Sequence, residues 1–280
     1  MEHLCSVFFE LSNDERFEIL KVLESNPETF THISEKLQIN SQQCSRHLTR
    51  LQEAILIERS PEGSYRISNY GKTILQLSKS FDFASANRKY LTSHDLNRIP
   101  YEFVARLGDL SDSKLSANVM NSISEFESLI SEAEEFLWVI INKRTRSVRP
   151  FVAQAVRRGI NLKSISPTSY VPEIDVKREI KEDDELAIIR AEGEGRAEVA
   201  DTEEFDVYLW VSEKEAFISF PLIDGTFDYV GFISTDQRAI EFCKDLFDYY
   251  WGRVRIIPRP ELVERHLSYC QYYGIHPKYP

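Results

Sequence analysis

Ser41-Gln42-Gln43-Cys44-Ser45-Arg46-His47-Leu48-Thr49-Arg50-Leu51, running on to Ala54-Ile55-Leu56-Ile57-Glu58, is the stretch whose reading decides the fold. Cys44, Leu48 and Leu51 stand at i, i+4 and i+7, so on a helix they share one face and turn inward. Asn40 or Ser41 supplies the cap, and the helix is expected to run to about Ala54. The opposite face presents Gln42, Gln43, Arg46, Thr49, Arg50 and Glu53, with Ser45 and His47 on the flanks. Glutamine and arginine can each make paired hydrogen bonds to a base edge, adenine and guanine respectively. A polar helix face is most often only a solvated one, so its neighbours must decide.

Upstream, Ser12-Asn13-Asp14-Glu15 has the form of a capping box, and Phe17, Ile19, Leu20 and Leu23 follow at helical spacing. Thr31 is expected to cap a short helix to Leu37, with Ile33 and Leu37 four apart, and Gln38-Ile39-Asn40 breaks it. A short helix, a tight turn and a longer helix form the unit that sets its second helix in a DNA major groove. Downstream, residues 55–68 read as two short strands around Pro61-Glu62-Gly63-Ser64, a hairpin placed as a wing. Arg59 and Arg66 on it would reach phosphate or the minor groove. Tyr70-Gly71-Lys72 opens a further helix to about Phe83.

This third helix and wing entry, with Tyr65-Arg66-Ile67-Ser68-Asn69-Tyr70-Gly71 at the exit, resembles ArsR-like and MarR-like winged-helix repressors over about 70 residues. The resemblance implies that Ser41, Gln42, Gln43, Ser45, Arg46, Thr49 and Arg50 face double-stranded DNA, joined by Arg59 and Arg66. The metal-binding Cys-x-Cys of the ArsR family is absent, so metal sensing does not carry over. No cofactor is expected.

The 280 residues suffice for two domains, and 42% hydrophobic content can supply both cores. Net charge is −11, unfavourable for a nucleic-acid binder. Residues 1–80 hold nine basic and eleven acidic side chains, so they account for −2 and the remainder for −9. The local positive field is weak, and binding is expected to be salt-sensitive and to depend on a homodimer. Cys5, Cys44, Cys243 and Cys270 stand apart, without metal-ligand spacing or a disulfide framework. Cys44 falls in the apolar repeat and reads as a core residue. The absence of a long apolar run and of signal-peptide character points to a cytoplasmic protein with no membrane partner.

The whole chain reads as α+β: a winged helix-turn-helix over 1–83, a helical connector over 84–112, a mixed α/β sensor or dimerisation domain over 113–260 and a tail over 261–280. A long helix is expected from Ser113 to Glu134, and the apolar run Phe136 to Ile141, a helix around Phe151 to Arg158 ending at Gly159, and Ile160 to Ile165 then make one β-α-β unit. Further strands are expected at Leu186 to Ala191, Arg196 to Ala200, Phe205 to Val211, Ala216 to Pro221 and Tyr229 to Ser234, then a helix from about Asp236 to Trp251. Glu173 to Glu185 reads as a solvated loop or short surface helix.

His94-Asp95-Leu96 with Ile99-Pro100, Arg157-Arg158-Gly159-Ile160 before a strand, and Gly231-Phe232-Ile233-Ser234 leading to an aromatic helix resemble archaeal methanogenesis-regulator-like proteins. These pair a winged helix with a sensor related to phospholipase D, which implies an archaeal source. A phospholipase D enzyme needs His-x-Lys and a later Asp. The one His-x-Lys, His276-Pro277-Lys278, has no Asp beyond it, so binding without turnover is expected, and neither a phosphate loop nor a hydrolase motif occurs. Asn142 to Arg149 follows a strand and leads into a helix, where anions bind in open α/β sheets. Arg144, Arg146 and Arg149 are therefore candidate ligands for a small anionic effector, against the plainer reading of a basic surface loop. Two rival functions remain: a winged helix used for protein assembly, and a phosphodiesterase or nuclease with a non-standard site.

Overall fold

In the computed structural model, residues 2–143, 146–168, 181–272 and 274–278 are described, and they divide into two compact units, Met1–Phe81 and Asp82–Pro280. The first unit begins with α1 (Glu2–Leu11) and α2 (Asp14–Ser25). Asn13, not Ser12, caps α2, accepting from the Arg16 amide. Sequence reading missed α1, which has no capping signature and turns Leu4, Phe8 and Phe9 outward. Then come α3 (Phe30–Leu37), capped by Thr29 rather than Thr31, and α4 (Ser41–Glu53).

Two short strands, β1 (Ile57–Arg59) and β2 (Tyr65–Ile67), pair antiparallel with Glu58 opposite Arg66. Helix, turn, longer helix and hairpin therefore follow one another in the expected order. The core of this unit is Ile19, Leu20, Leu23, Ile33, Cys44, Leu48, Leu51, Leu56 and Ile67, all buried, and Cys44 takes the core place read for it.

The end of α4 carries a strained residue. The Ile55 amide donates to Gln52 and the Leu56 amide to Leu51, the double closure of a helix C-terminus that places a left-handed residue after the cap. That residue is Ile55, at φ +61°, where a β-branched side chain is unfavourable. The chain leaves the hairpin into α5 (Asn69–Ala86) by a close approach at Gly71, where a Cβ would lie 2.0 Å from the Leu56 carbonyl oxygen. Ser68 ties the same corner: its hydroxyl donates to Ile55 O and accepts from the Gly71 amide.

In the second unit, α6 (Arg88–Ser93), α7 (Tyr101–Val104) and a 3-10 turn at Leu107–Leu110 occupy the segment expected as a helical connector. Their Tyr90, Phe103, Leu107 and Leu110 are buried in this unit's core. There follow β3 (Lys114–Leu115), α8 (Val119–Glu132), β4 (Phe136–Ile140), α9 (Arg149–Arg158), β5 (Asn161–Pro167) and α10 (Glu182–Glu194). The chain continues through β6 (Ala197–Thr202), β7 (Tyr208–Ser212), β8 (Ala216–Ser219), β9 (Phe232–Ser234), α11 (Gln237–Trp251), β10 (Arg255–Ile256) and α12 (Arg259–Tyr272).

One eight-stranded sheet has the order β10-β6-β5-β4-β7-β8-β9-β3. β4, β5 and β6 run parallel and the other pairings are antiparallel. The expected β-α-β unit is β4-α9-β5, and α9 ends at Gly159 with φ +95°. Phe242, Leu246 and Phe247 of α11 pack on one sheet face with Ile140, Leu209 and Ile218. Phe126 of α8, Val152 and Val156 of α9 and Ile188 of α10 pack on the other, with Leu137, Val139 and Trp210.

Several expectations fail here: the helix read from Ser113 begins only at Val119, after β3, and of the stretch Glu173 to Glu185 read as solvated, residues 173–180 lie outside the described residues while Asp184 and Glu185 are buried. Leu186 to Ala191 is not a strand but the middle of α10, whose acidic first turn favours a helix N-terminus and whose C-cap, Gly195, sits at φ +76°. The tail expected over 261–280 begins inside α12, where Leu262, His266, Tyr269 and Cys270 are buried. Among the described residues no helix is long and apolar enough to cross a membrane.

Candidate nucleic-acid interface and a buried charge network

α4 is fixed at its N-terminus by a reciprocal cap: Asn40 Oδ1 accepts from the Gln43 amide at 2.9 Å, and Gln43 Oε1 from the Asn40 amide at 3.3 Å. With Cys44, Leu48 and Leu51 inward, Ser41, Gln42, Ser45, Arg46 and Thr49 are exposed, while Gln43 and Arg50 are half-buried. His47, expected on the flank, is buried instead, with Nε2 3.2 Å from Glu15. Burial lowers its pKa, partly opposed by Glu15.

The arginines differ in how far they are committed. Arg50 grips Glu10 with both arms of its guanidinium, Nη2 to Oε1 at 2.6 Å and Nε to Oε2 at 3.1 Å, and lies over the Phe9 ring. Arg16 holds the same carboxylate at 2.9 Å and donates to the Glu10 and Phe9 carbonyls. The Arg50 hydrogen bond, helped by the Arg16 charge and opposed by burial, keeps Glu10 below the usual carboxylate range. Arg66 pairs with Glu58 across the hairpin at 2.8 Å, both exposed, an interaction worth under about 1 kcal/mol and readily exchanged. Arg59 is exposed and lies 5.6 Å from the Tyr65 ring centre. Arg46 stands in solvent on the middle of the α4 face with no ion pair among the described residues.

In the second unit Arg144 and the Arg146 side chain lie outside the described residues. Arg149, at the start of α9, is turned into a buried network on α10 and α12. Its Nε donates to Glu185 Oε1 at 3.0 Å, its Nη2 to Oε2, and Nη2 lies 2.9 Å from His266 Nε2. His266 faces Glu185 through Nε2 at 2.6 Å and Glu192 through Nδ1 at 2.9 Å. Burial would push the Glu185 carboxyl up, but the Arg149 charge and the hydrogen bonds from His266 and Arg149 outweigh it and hold the group at about 2.

Glu185, His266 and Cys270 present ligand-type atoms within 4.8 Å of one another. The Arg149 guanidinium already supplies the positive charge there, and both imidazole nitrogens are engaged, so the cluster does not suit a metal ion. Sequence reading missed Glu185, Glu192 and His266. The available signal was the spacing of Glu185, Ile188, Ile189 and Glu192 on one helix face, all buried. His276 and Lys278 are both exposed.

Residues 119–253, 135 of the 280, match the family model described as methanogenesis regulatory protein FilR1, middle domain. Comparison with curated protein sequences gave no match. Among solved structures, the chain is similar to TrmBL2, described as an archaeal chromatin protein with a novel mode of DNA binding. Identity is 15%, the TM-score 0.42, and 88% of this chain and 94% of that one are covered. Similarity also extends to Nuc, a phospholipase D family member from Salmonella typhimurium (11% identity, TM-score 0.33, 48% of this chain and 90% of that one). NucT from Helicobacter pylori gives 12% identity and a TM-score of 0.36 over 51% of this chain and 95% of that one. Likeness at these scores defines neither fold nor function.

Proposed function

We propose that the chain is a DNA-binding transcriptional regulator, with its first unit a winged helix-turn-helix and its second unit a ligand-responsive domain. The observation that carries this reading is the exposed face of α4, with Arg46 free at its centre, followed directly by a hairpin bearing exposed Arg59 and Arg66. The matched family, whose description names a regulatory protein, supports it. Arg46 contacts base edges from the major groove with Gln42, Ser45 and Thr49 around it, and Arg59 contacts phosphate. Arg50 acts second-hand: its grip on Glu10 fixes α1 to α4.

The regulator acts as a homodimer through α1 and α5. Leu4, Phe8, Leu77 and Phe81 are exposed on these helices, and Phe8 meets Phe81 edge to face at 5.7 Å between centroids. A homodimer that reads two half-sites needs its recognition helices roughly 34 Å apart, one turn of DNA. Cys5 on α1 is exposed while Cys44, Cys243 and Cys270 are buried, so mild oxidation should link two chains through Cys5 alone.

The deciding experiment is fluorescence anisotropy with DNA from upstream of the chain's own gene, at two salt concentrations. Arg46→Ala should weaken binding by about 1 to 3 kcal/mol and relax preference at one base position, whereas Arg59→Ala should weaken all sequences alike and flatten the salt slope. Binding unchanged by Arg46→Ala in both affinity and base preference would refute the assignment of α4.

A further inference from the structure

One row of side chains crosses four strands of the second unit on a single face: Trp210 on β7 is opposite Val139 on β4, Val139 opposite Ser164 on β5, and Ser164 opposite Val199 on β6. Ser164 is the small member of the row. Above it lie Val148, Arg149 and Val152 at the start of α9, and Ile188 and Glu192 on α10. Between floor and roof is a cavity of about 60 Å³, several times the 10 to 15 Å³ or so that one water needs.

The polar members of the wall are the Ser164 hydroxyl, the Trp210 indole, Arg149 and Glu192. Trp210, 3% exposed, lines it, and the buried indole N–H has no acceptor among the described residues. A buried donor left unmade is costly, and most of the wall is Val, Ile and Leu, so an occupant that meets the indole is apolar over most of its surface. The two charged members of the wall are already partnered, Arg149 by Glu185 and Glu192 by His266. A charged ligand would have to break one of those pairs.

We propose that this cavity is the effector site of the second unit and takes a small, uncharged, mainly apolar molecule that offers one hydrogen-bond acceptor to the Trp210 indole. This rests on the regulator reading for the word effector, but not for the binding itself. The ligand class departs from the anion expected at Arg144, Arg146 and Arg149, because Arg149 belongs to the cavity wall as half of a closed ion pair.

The test uses the full chain, labelled with ¹⁵N, and follows the three indole resonances of Trp138, Trp210 and Trp251 while 2-butanone or xenon is added. Trp210→Phe assigns the Trp210 signal as the resonance that disappears. The expected result is a saturable movement of the Trp210 resonance with 2-butanone, larger than with xenon, while Trp138 and Trp251 hold still. Ser164→Leu should weaken 2-butanone binding at least tenfold, and Ser164→Val, the milder filling, by less. The unchanged positions of the other two indoles report that each variant is folded. No saturable movement with either probe, or equal movement of all three indoles, overturns the proposal. DNA anisotropy on the same samples separates the two readings: a saturating Trp210 signal without DNA binding sinks the regulator and leaves the site, and the converse sinks the site alone.

Discussion

Replacing Glu185 by Gln removes one charge from the centre of the network on α9, α10 and α12 and keeps the shape. The Glu185 side chain is fully buried, His266 likewise, and Arg149 is 17% exposed. The variant would leave the Arg149 guanidinium without its carboxylate partner, with Glu192 the remaining carboxylate of the network. A carboxyl held at about 2 rather than 4.5 corresponds, at about 1.4 kcal/mol per pH unit, to about 3 kcal/mol of stability at neutral pH. That matches the roughly 3 to 5 kcal/mol seen when one partner of a buried pair is removed.

The contribution is complete above about pH 4.5 and is lost as pH falls towards 2, because protons bind the unfolded carboxyl first. All three tryptophans, Trp138, Trp210 and Trp251, lie in the second unit, so urea unfolding followed by tryptophan fluorescence reads that unit alone. Glu185→Gln should be about 3 kcal/mol less stable at pH 7, a fall of roughly 6 to 12 °C in melting temperature for a domain of this size. The gap between the two proteins should close between pH 4.5 and 2. A variant within 1 kcal/mol of wild type at pH 7, or a gap that does not change with acid, would refute the ion-pair account.

Three further outcomes test the first unit. Gly71→Ala forces a Cβ against the Leu56 carbonyl and should destabilise the unit by about 1 to 3 kcal/mol, read by circular dichroism during thermal unfolding. Ile55→Gly relieves a β-branched residue at φ +61° whose side chain is mostly exposed; a gain of about 1 kcal/mol should slow amide exchange in α4 about fivefold. Because His47 resists protonation when folded, stability of this unit should decline as pH drops below about 6.5, and His47→Gln should flatten that slope in hydrogen exchange across residues 41–54.

The elements legible in the sequence are those whose partners are local. The cap of α4, its Cys44, Leu48 and Leu51 stripe and the hairpin around Pro61-Glu62-Gly63-Ser64 all depend on residues a few positions apart, and they are found where expected. The failures at α10 and α12 have one cause. Patterning assigns glutamate to solvent, so the buried face Glu185, Ile188, Ile189, Glu192 is invisible until Arg149, 36 residues before Glu185, and His266, 81 residues after it, are brought alongside. With those glutamates scored as exposed, Leu186 to Ala191 reduces to a short apolar run, which resembles a strand. Of the candidate contact residues, exposure of Arg46 followed from the helix period, but the capture of Arg50 by Glu10, 40 positions earlier, did not.

The two-residue strands that close the eight-stranded sheet also bear on behaviour at high concentration. β10 and β3 each give only two residues to the sheet, and each includes a cation, Arg255 on one and Lys114 on the other. A longer, flatter, apolar rim would offer free backbone groups to a strand from another molecule, the first step of edge-to-edge aggregation. Short charged rims withhold that template, so crowding many copies of the chain together does not feed fibrous assembly through this sheet.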